Sequence, residues 1–157
     1  MKQSNELEKA VLLGDVILTD ALIKQGVDLE TKDKYGRTII YDAIVKGYID
    51  IVRLLCSNNA NINIRDKEGK SPLHFAAIHG KLEIAKVLIQ FGAIVDIKDE
   101  NGNTPLSDAV FYSQGLIDII LLLKEKGADP NLKNNYDVSP KELAETISNF
   151  DVSYLFK

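Results

Sequence analysis

Asp66-Lys67-Glu68-Gly69-Lys70-Ser71-Pro72-Leu73-His74-Phe75-Ala76-Ala77 is followed by Ile78-His79-Gly80-Lys81-Leu82-Glu83-Ile84-Ala85-Lys86-Val87-Leu88-Ile89, and then by Gln90-Phe91-Gly92-Ala93. Each piece is a structural instruction. Asp66 to Gly69 reads as a tight turn. Ser71-Pro72 reads as an N-cap with proline at the first helical position, where a missing N–H removes no hydrogen bond. Leu73 to Ile78 then makes a short helix that Gly80 stops by taking the left-handed conformation. Leu82 to Ile89 makes a second helix, ended by Gly92.

Outward from this stretch the pattern recurs. Asp33, Asp66 and Asp99 each open a turn at steps of 33 residues, and Gly36, Gly69 and Gly102 keep the step. So do the capping hydroxyls Thr38, Ser71 and Thr104. The next copy starts 35 residues on, at Asn134, with Ser139-Pro140 as its cap. The two extra residues fall around Phe111 to Gln114, just before Gly115, which lengthens the first helix or the turn after it. The first copy lacks its leading turn. Asn5 is expected at its cap with Glu8 completing a capping-box-like pair, and Asp15 to Lys24 forms its second helix.

The register holds position by position. Ala10, Ala43, Ala76, Ala109 and Ala144 occupy one site, where alanine lets neighbouring helices approach closely. Leu18, Ile51, Ile84, Ile119 and Val152 make one apolar stripe of the second helix, and Leu22, Leu55, Leu88, Leu123 and Phe156 make another. Gly14, Gly47, Gly80 and Gly115 stop the first helices; Gly26, Gly92 and Gly127 stop the second ones. The remaining stop is Asn59, the residue that next best tolerates a positive φ. The last copy departs most, with Asp137 for the turn glycine, Lys141 for the core leucine and Glu145 on the outward face. Phe150, Val152, Leu155 and Phe156 still supply an inward stripe.

Turn, cap, short helix and stop, with Ser71-Pro72-Leu73-His74-Phe75-Ala76 at their centre, resemble the ankyrin repeat. The resemblance covers residues 5 to 157 and implies an all-α solenoid of stacked helix-turn-helix units with short β-hairpin fingers. It implies one domain, 1–157, with repeats at about 5–32, 33–65, 66–98, 99–133 and 134–157, the first and last acting as caps. It also implies that His74 ties the turns of adjacent repeats. The second copy departs at Ile39 and Ile40, where the family usually has proline and leucine. Tyr41 and Ser107 replace the histidine, so that tie is absent or remade in those copies.

Composition narrows the function. Net charge is −4 and the pI about 5.2, which argues against nucleic acid as partner, since phosphates call for basic patches. The longest apolar run, Ile119 to Leu123, is far too short to span a bilayer. The N-terminal residues carry no signal-peptide core, and the single cysteine, Cys56, excludes an internal disulfide and suits a reducing compartment. A cytoplasmic protein, monomeric when free, is expected.

No catalytic constellation emerges. His74 and His79, the only histidines, straddle a helix end without a cysteine or carboxylate at ligand spacing, so no metal site is expected. Cys56 falls in an apolar stripe with no base beside it. The paired carboxylates lie at helix starts and turns, where they satisfy backbone N–H groups. The glycines are punctuation, not a phosphate loop. Neither a cofactor nor an enzymatic activity is expected.

What the resemblance implies instead is a protein–protein interaction module that binds along a concave face of hairpin tips and first-helix ends. The positions on that face are Lys34, Tyr35, Arg37, Lys46, Lys67, Glu68, Lys70, His79, Asn101, Asn103, Phe111, Tyr112 and Tyr136, with Val45 and Ile78 beside them. Tyr35, Phe111, Tyr112 and Tyr136 are the expected anchors, because aromatic residues dominate hot spots. Lys34, Arg37, Lys46, Lys67 and Lys70 form a basic cluster that would suit an acidic patch on the partner. Two roles follow: an adaptor or scaffold, or a stoichiometric inhibitor of an enzyme, such as an immunity protein neutralising a toxin.

Overall fold

The computed structural model describes residues 2–114, 117–147 and 151–157, and among them nine α-helices and no strand. They come in pairs: α1 (Lys2–Leu13) with α2 (Val16–Lys24), α3 (Ile39–Lys46) with α4 (Ile49–Ser57), α5 (Pro72–Ile78) with α6 (Leu82–Gln90), and α7 (Pro105–Phe111) with α8 (Asp118–Glu125). A ninth helix, α9 (Pro140–Thr146), precedes a 3₁₀ turn at Ser153–Phe156. First helices pack on first helices, α1 through α9, and second helices on second helices. The 33-residue steps therefore lie on one another as an all-α repeat solenoid.

Helix starts follow their caps. Ser71, Thr104 and Ser139 have extended backbones, with ψ of 167°, 165° and 161°, and each hydroxyl accepts the N–H of the residue three further on. The prolines that follow disfavour a helical conformation at the cap. In the first copy Glu6 stands in place of proline. α1 runs back to Lys2, so the expected cap at Asn5 is corrected to an interior position, whereas Thr38, also without a proline after it, stays extended at the start of α3 and makes no side-chain cap bond.

Stops follow backbone chemistry. Asn59 has φ +62° and Asp137 φ +63°, the conformation that glycine takes at the matching places in other copies. Gly115 lies outside the described residues. At Gly69 space matters as well, since a Cβ there would sit 2.6 Å from the Glu100 backbone nitrogen.

That contact is part of the fingers. Each tip is closed by two backbone bonds, such as Asp66 N–H to Lys70 O and Gly69 N–H to Asp66 O, both at 3.0 Å. Tips are joined by one more: Lys67 N–H to Tyr35 O (2.9 Å), Glu100 N–H to Glu68 O (3.0 Å) and Asn135 N–H to Asn101 O (2.9 Å). The expected β-hairpin fingers are thus hydrogen-bonded turns among the described residues, with too few bonds per copy to make a ladder.

Between the helix layers the core is continuous. Ala10, Ala43, Ala76, Ala109 and Ala144 are all buried, as are Ile51, Ile84, Ile119 and Val152. Leu18 is the exception. It is 44% exposed, because its position packs against the copy in front and α2 has none there. In the last copy Val152 and Phe156 reach the core from the 3₁₀ turn and not from a second α-helix, as short segments allow. Lys124 donates to the Leu155 carbonyl and lies 4.7 Å from the Phe156 ring centroid, which fixes that turn. Phe150 lies outside the described residues.

Candidate protein-binding surface

The turn openers organise the tips. Asp66 Oδ1 accepts the N–H groups of Glu68 (2.9 Å) and Lys70 (3.0 Å), and Asp33, Asp99 and Asn134 do the same in their own turns. The remaining side-chain atom faces the preceding copy. Asp66 Oδ2 accepts from Arg37 Nε at 3.0 Å, Asp99 Oδ2 from Lys70 Nζ at 2.8 Å, and Asn134 Nδ2 donates to Asn103 Oδ1 at 2.8 Å.

Arg37, Lys70 and Asn103 were expected on the binding face. They are half-buried, and their polar ends bridge copies. Lys70 also meets Asp108 at 3.1 Å. Burial alone would lower the Lys70 pKa, but Asp99 and Asp108 more than offset it and the value is raised. Burial lifts the Asp108 carboxyl to about 6, against the pull of Lys70. For Asp99 burial pushes upward too, yet Lys70 and the backbone N–H groups of Asn103 and Asn101 hold it below its ordinary value.

A second tie runs beneath the tips. Ser71 N–H donates to His74 Nδ1 at 3.0 Å, so the ring proton sits on Nε2 and is donated to Asn103 O at 3.1 Å. Burial keeps this imidazole neutral by lowering its pKa to about 4. In the second copy the tie is remade: the Tyr41 hydroxyl lies 2.8 Å from both Ile64 O and Lys70 O. Ser107 is too short to reach forward and bonds only Thr104.

What remains faces solvent. Lys34, Tyr35, Lys46, Lys67, Glu68, His79, Asn101, Phe111, Tyr112 and Tyr136 are all exposed. Phe111, 60% exposed, and Tyr112 meet edge to face with ring centroids 4.9 Å apart. Lys34 Nζ stands 4.9 Å from the Tyr35 ring, and the Arg37 guanidinium lies 5.2 Å from Tyr35 and 4.6 Å from Phe75. For His79, burial first, then Lys81 and Arg37, hold the pKa below the usual value.

The structure gathers six of the expected residues around one open cleft of about 430 Å³: Glu68, Lys70, Asn101, Asn103, Phe111 and Tyr112. At its rim the Tyr136 hydroxyl donates to Asn101 Oδ1 at 3.4 Å. A smaller cleft of about 150 Å³ brings His79 and Ile78 to Tyr112 and Gln114. Lys34, Tyr35, Lys46 and Lys67 line neither cleft. α7 is as long as α5, seven residues, so the insertion lengthens the connection after Phe111 and leaves the helix unchanged.

Two residues of this face escaped the sequence reading. Leu12 and Leu13, 39% and 69% exposed, stand 33 residues before Val45 and Lys46 and begin the row that continues through Ile78 to Phe111. The same offset pointed to them.

The single thiol offers no chemistry here. Cys56 is buried, which pushes its pKa up to about 11. Among the described residues no cluster of three or more His, Cys, Asp or Glu could hold a metal ion, and no helix is long and apolar enough to cross a membrane.

Comparison with known proteins agrees with the geometry. Models described as "Ankyrin repeats (many copies)" and "Ankyrin repeats (3 copies)" match residues 22–74 and 58–134. The 2-5A-dependent ribonuclease of Mus musculus is 36% identical over 62 residues, which are 39% of this chain and 8% of that protein. The chain therefore spans less than a tenth of that relative, and the likeness concerns a short segment. Stacked helix pairs, proline-led caps, the His74 tie and both models agree: the chain belongs to the ankyrin-repeat family.

Proposed function

We propose that the chain is a non-catalytic binding module that grips a protein partner along a concave face of tips and first-helix ends. Ankyrin repeats are in general protein–protein interaction modules, which supports the coarse assignment. The observation that carries the finer one is the exposed, stacked Phe111–Tyr112 pair beside the larger cleft. Neither ring is needed to hold the stack, and exposed aromatic pairs at a cleft supply area at low entropic cost. Tyr35, Tyr136, Leu12, Leu13 and Val45 extend the surface along the array.

The partner carries an acidic patch. Arg37 and Lys70 are engaged within the stack, but Lys34, Lys46 and Lys67 are exposed and form no ion pair among the described residues. These three set the on-rate and its salt dependence more than the affinity. A cytoplasmic location fits the buried free thiol of Cys56.

The experiment is co-purification from the native host with the full chain as bait, compared with Phe111→Ser/Tyr112→Ser. A protein retained by wild type and lost with the folded double variant supports the reading. Equal retention by both places the contact elsewhere. If the retained protein is an enzyme silenced at one-to-one stoichiometry, the chain is an inhibitor; if it stays active, an adaptor.

A further inference from the structure

The charges around the larger cleft do not balance. Among the described residues that line it Lys70 is the one cation, and its Nζ is already shared between Asp99 at 2.8 Å and Asp108 at 3.1 Å. Glu68 lines the same cleft, is exposed and forms no ion pair among the described residues. Burial most of all, with Asp99 and Glu68 adding to it, raises the Asp108 carboxyl to about 6 against the pull of Lys70. Three carboxylates share one ammonium, and the excess charge draws a further cation to this place.

The walls favour a flat cation. Phe111 and Tyr112 are exposed, and no cation lies over either ring among the described residues. One copy earlier Phe75 holds the place of Asp108, and its buried ring packs on Tyr41. A carboxylate fills less of that place than a ring does, so the fourth copy keeps an opening beside Phe111. The chain itself seats one guanidinium among such groups. Arg37 lies 4.6 Å from the Phe75 ring and 5.2 Å from Tyr35, with its Nε on Asp66 Oδ2 at 3.0 Å. In the fourth copy Asn103 holds the Arg37 place and brings no charge.

We propose that this cleft takes an arginine side chain of the protein partner, its guanidinium against the Phe111–Tyr112 pair and its N–H groups on the carboxylates of Asp108 and Glu68. Asn101 Oδ1, which holds the Tyr136 hydroxyl at 3.4 Å, has a lone pair left for one N–H more. Lysine suits the place less well. A compact ammonium has no plane to lay on a ring and no fork to span two acceptors.

The inference rests on the binding face proposed above and adds a direction to it. An acidic patch near Lys34, Lys46 and Lys67 and an arginine at the fourth copy give the partner charges segregated along the array. Reversing the partner would set like charges together at both ends, so only one orientation is favoured.

The test needs no partner. Acetyl-Gly-Arg-Gly-amide is titrated to about 20 mM, at constant ionic strength, into the isotope-labelled full chain, since a single side chain binds on the order of millimolar. Saturable shifts are expected at the backbone amides of Asp108, Phe111 and Tyr112. The lysine version should bind about fivefold more weakly, and the citrulline version, which keeps the shape and loses the charge, should not bind. Glu68→Gln, whose side chain holds nothing in the stack, and Tyr112→Ser should each weaken the arginine peptide about three- to tenfold with an unchanged melting temperature. No saturable shift from the arginine peptide would overturn the inference. So would equal binding of either other peptide, indifference to both variants, or shifts confined to another face. Such a failure leaves the co-purification result standing, whereas a peptide that binds while no protein is retained counts against the larger reading alone.

Discussion

Asn134 donates to Asn103 Oδ1 at 2.8 Å, in the place where Lys70 meets Asp99 and Arg37 meets Asp66. The last junction has exchanged an ion pair for an amide pair on both sides at once. Residues that looked like a row of loose tip cations are therefore matched to the copy behind them, and their removal is felt by the stack.

Lys70→Met should show this most strongly. Asp99 and Asp108 would remain without their cation, which costs about 3 kcal/mol at pH 7 for a half-buried site. The pH dependence has a definite sign. Burial raises Asp108 in the folded chain to about 6, so the folded state binds the extra proton. Its favourable contribution is complete at low pH and is lost as pH rises through 6. Denaturant unfolding of the variant should therefore show a smaller deficit at pH 5 than at pH 7, and an equal deficit would rule out the coupling.

His74 should act in the opposite direction. Burial lowers its folded pKa to about 4 from an ordinary 6.5, so the unfolded chain takes up the proton first. Stability is complete above 6.5 and declines as pH falls towards 4. His74→Gln should cost about 1–2 kcal/mol at pH 7 through the lost tie, and less at pH 5 because the titration is gone. Paired urea curves at the two pH values measure this; parallel losses would place the titration elsewhere.

Asn59→Gly and Asp137→Gly should each stabilise the chain. Both side chains sit at positive φ, where a non-glycine residue carries about 1 kcal/mol of strain. A net gain of roughly 0.5–1 kcal/mol corresponds to a melting temperature about 1–4 °C higher at this chain length. A fall would mean that local hydrogen bonds outweigh the strain.

Tyr35 and Arg37 should separate in their effects. Arg37→Ala removes the Asp66 bond and the stacking on Phe75, and should lower stability by about 1–2 kcal/mol. Tyr35→Ala, at a 50% exposed tip, should leave the melting temperature within about 1 °C, as surface substitutions do. Thermal scans of the two variants check this before either is used to map a partner.

Fold and period were legible because turn, cap and stop chemistry is local. Asn59 in the place of a glycine could be read from one residue's backbone preference, and its φ of +62° bears that out. Leu18 could not, since its stripe position is covered by the preceding copy, as Val152 is in the last one. Asn5 failed as well: α1 runs back through it to Lys2, although Thr38, with no proline after it either, stays extended and begins α3. The bonds that Arg37, Lys70 and Asn103 make between copies were not legible, because their partners lie 29 to 31 residues on and come near only after stacking. The paired change to Asn103 and Asn134 carried that information in the sequence.

Ser107 stops at Thr104, so the final junction lacks the buried tether supplied by Tyr41 and His74 further up. That junction rests on the tips instead, through Asn135 N–H to Asn101 O and Asn134 to Asn103, and α9 is expected to exchange its amides faster than α5. A ligand seated across Asn101 and Tyr136 would clasp that seam from outside. Occupancy and tail order are thereby linked, and slower amide exchange in α9 becomes a signature of a filled groove.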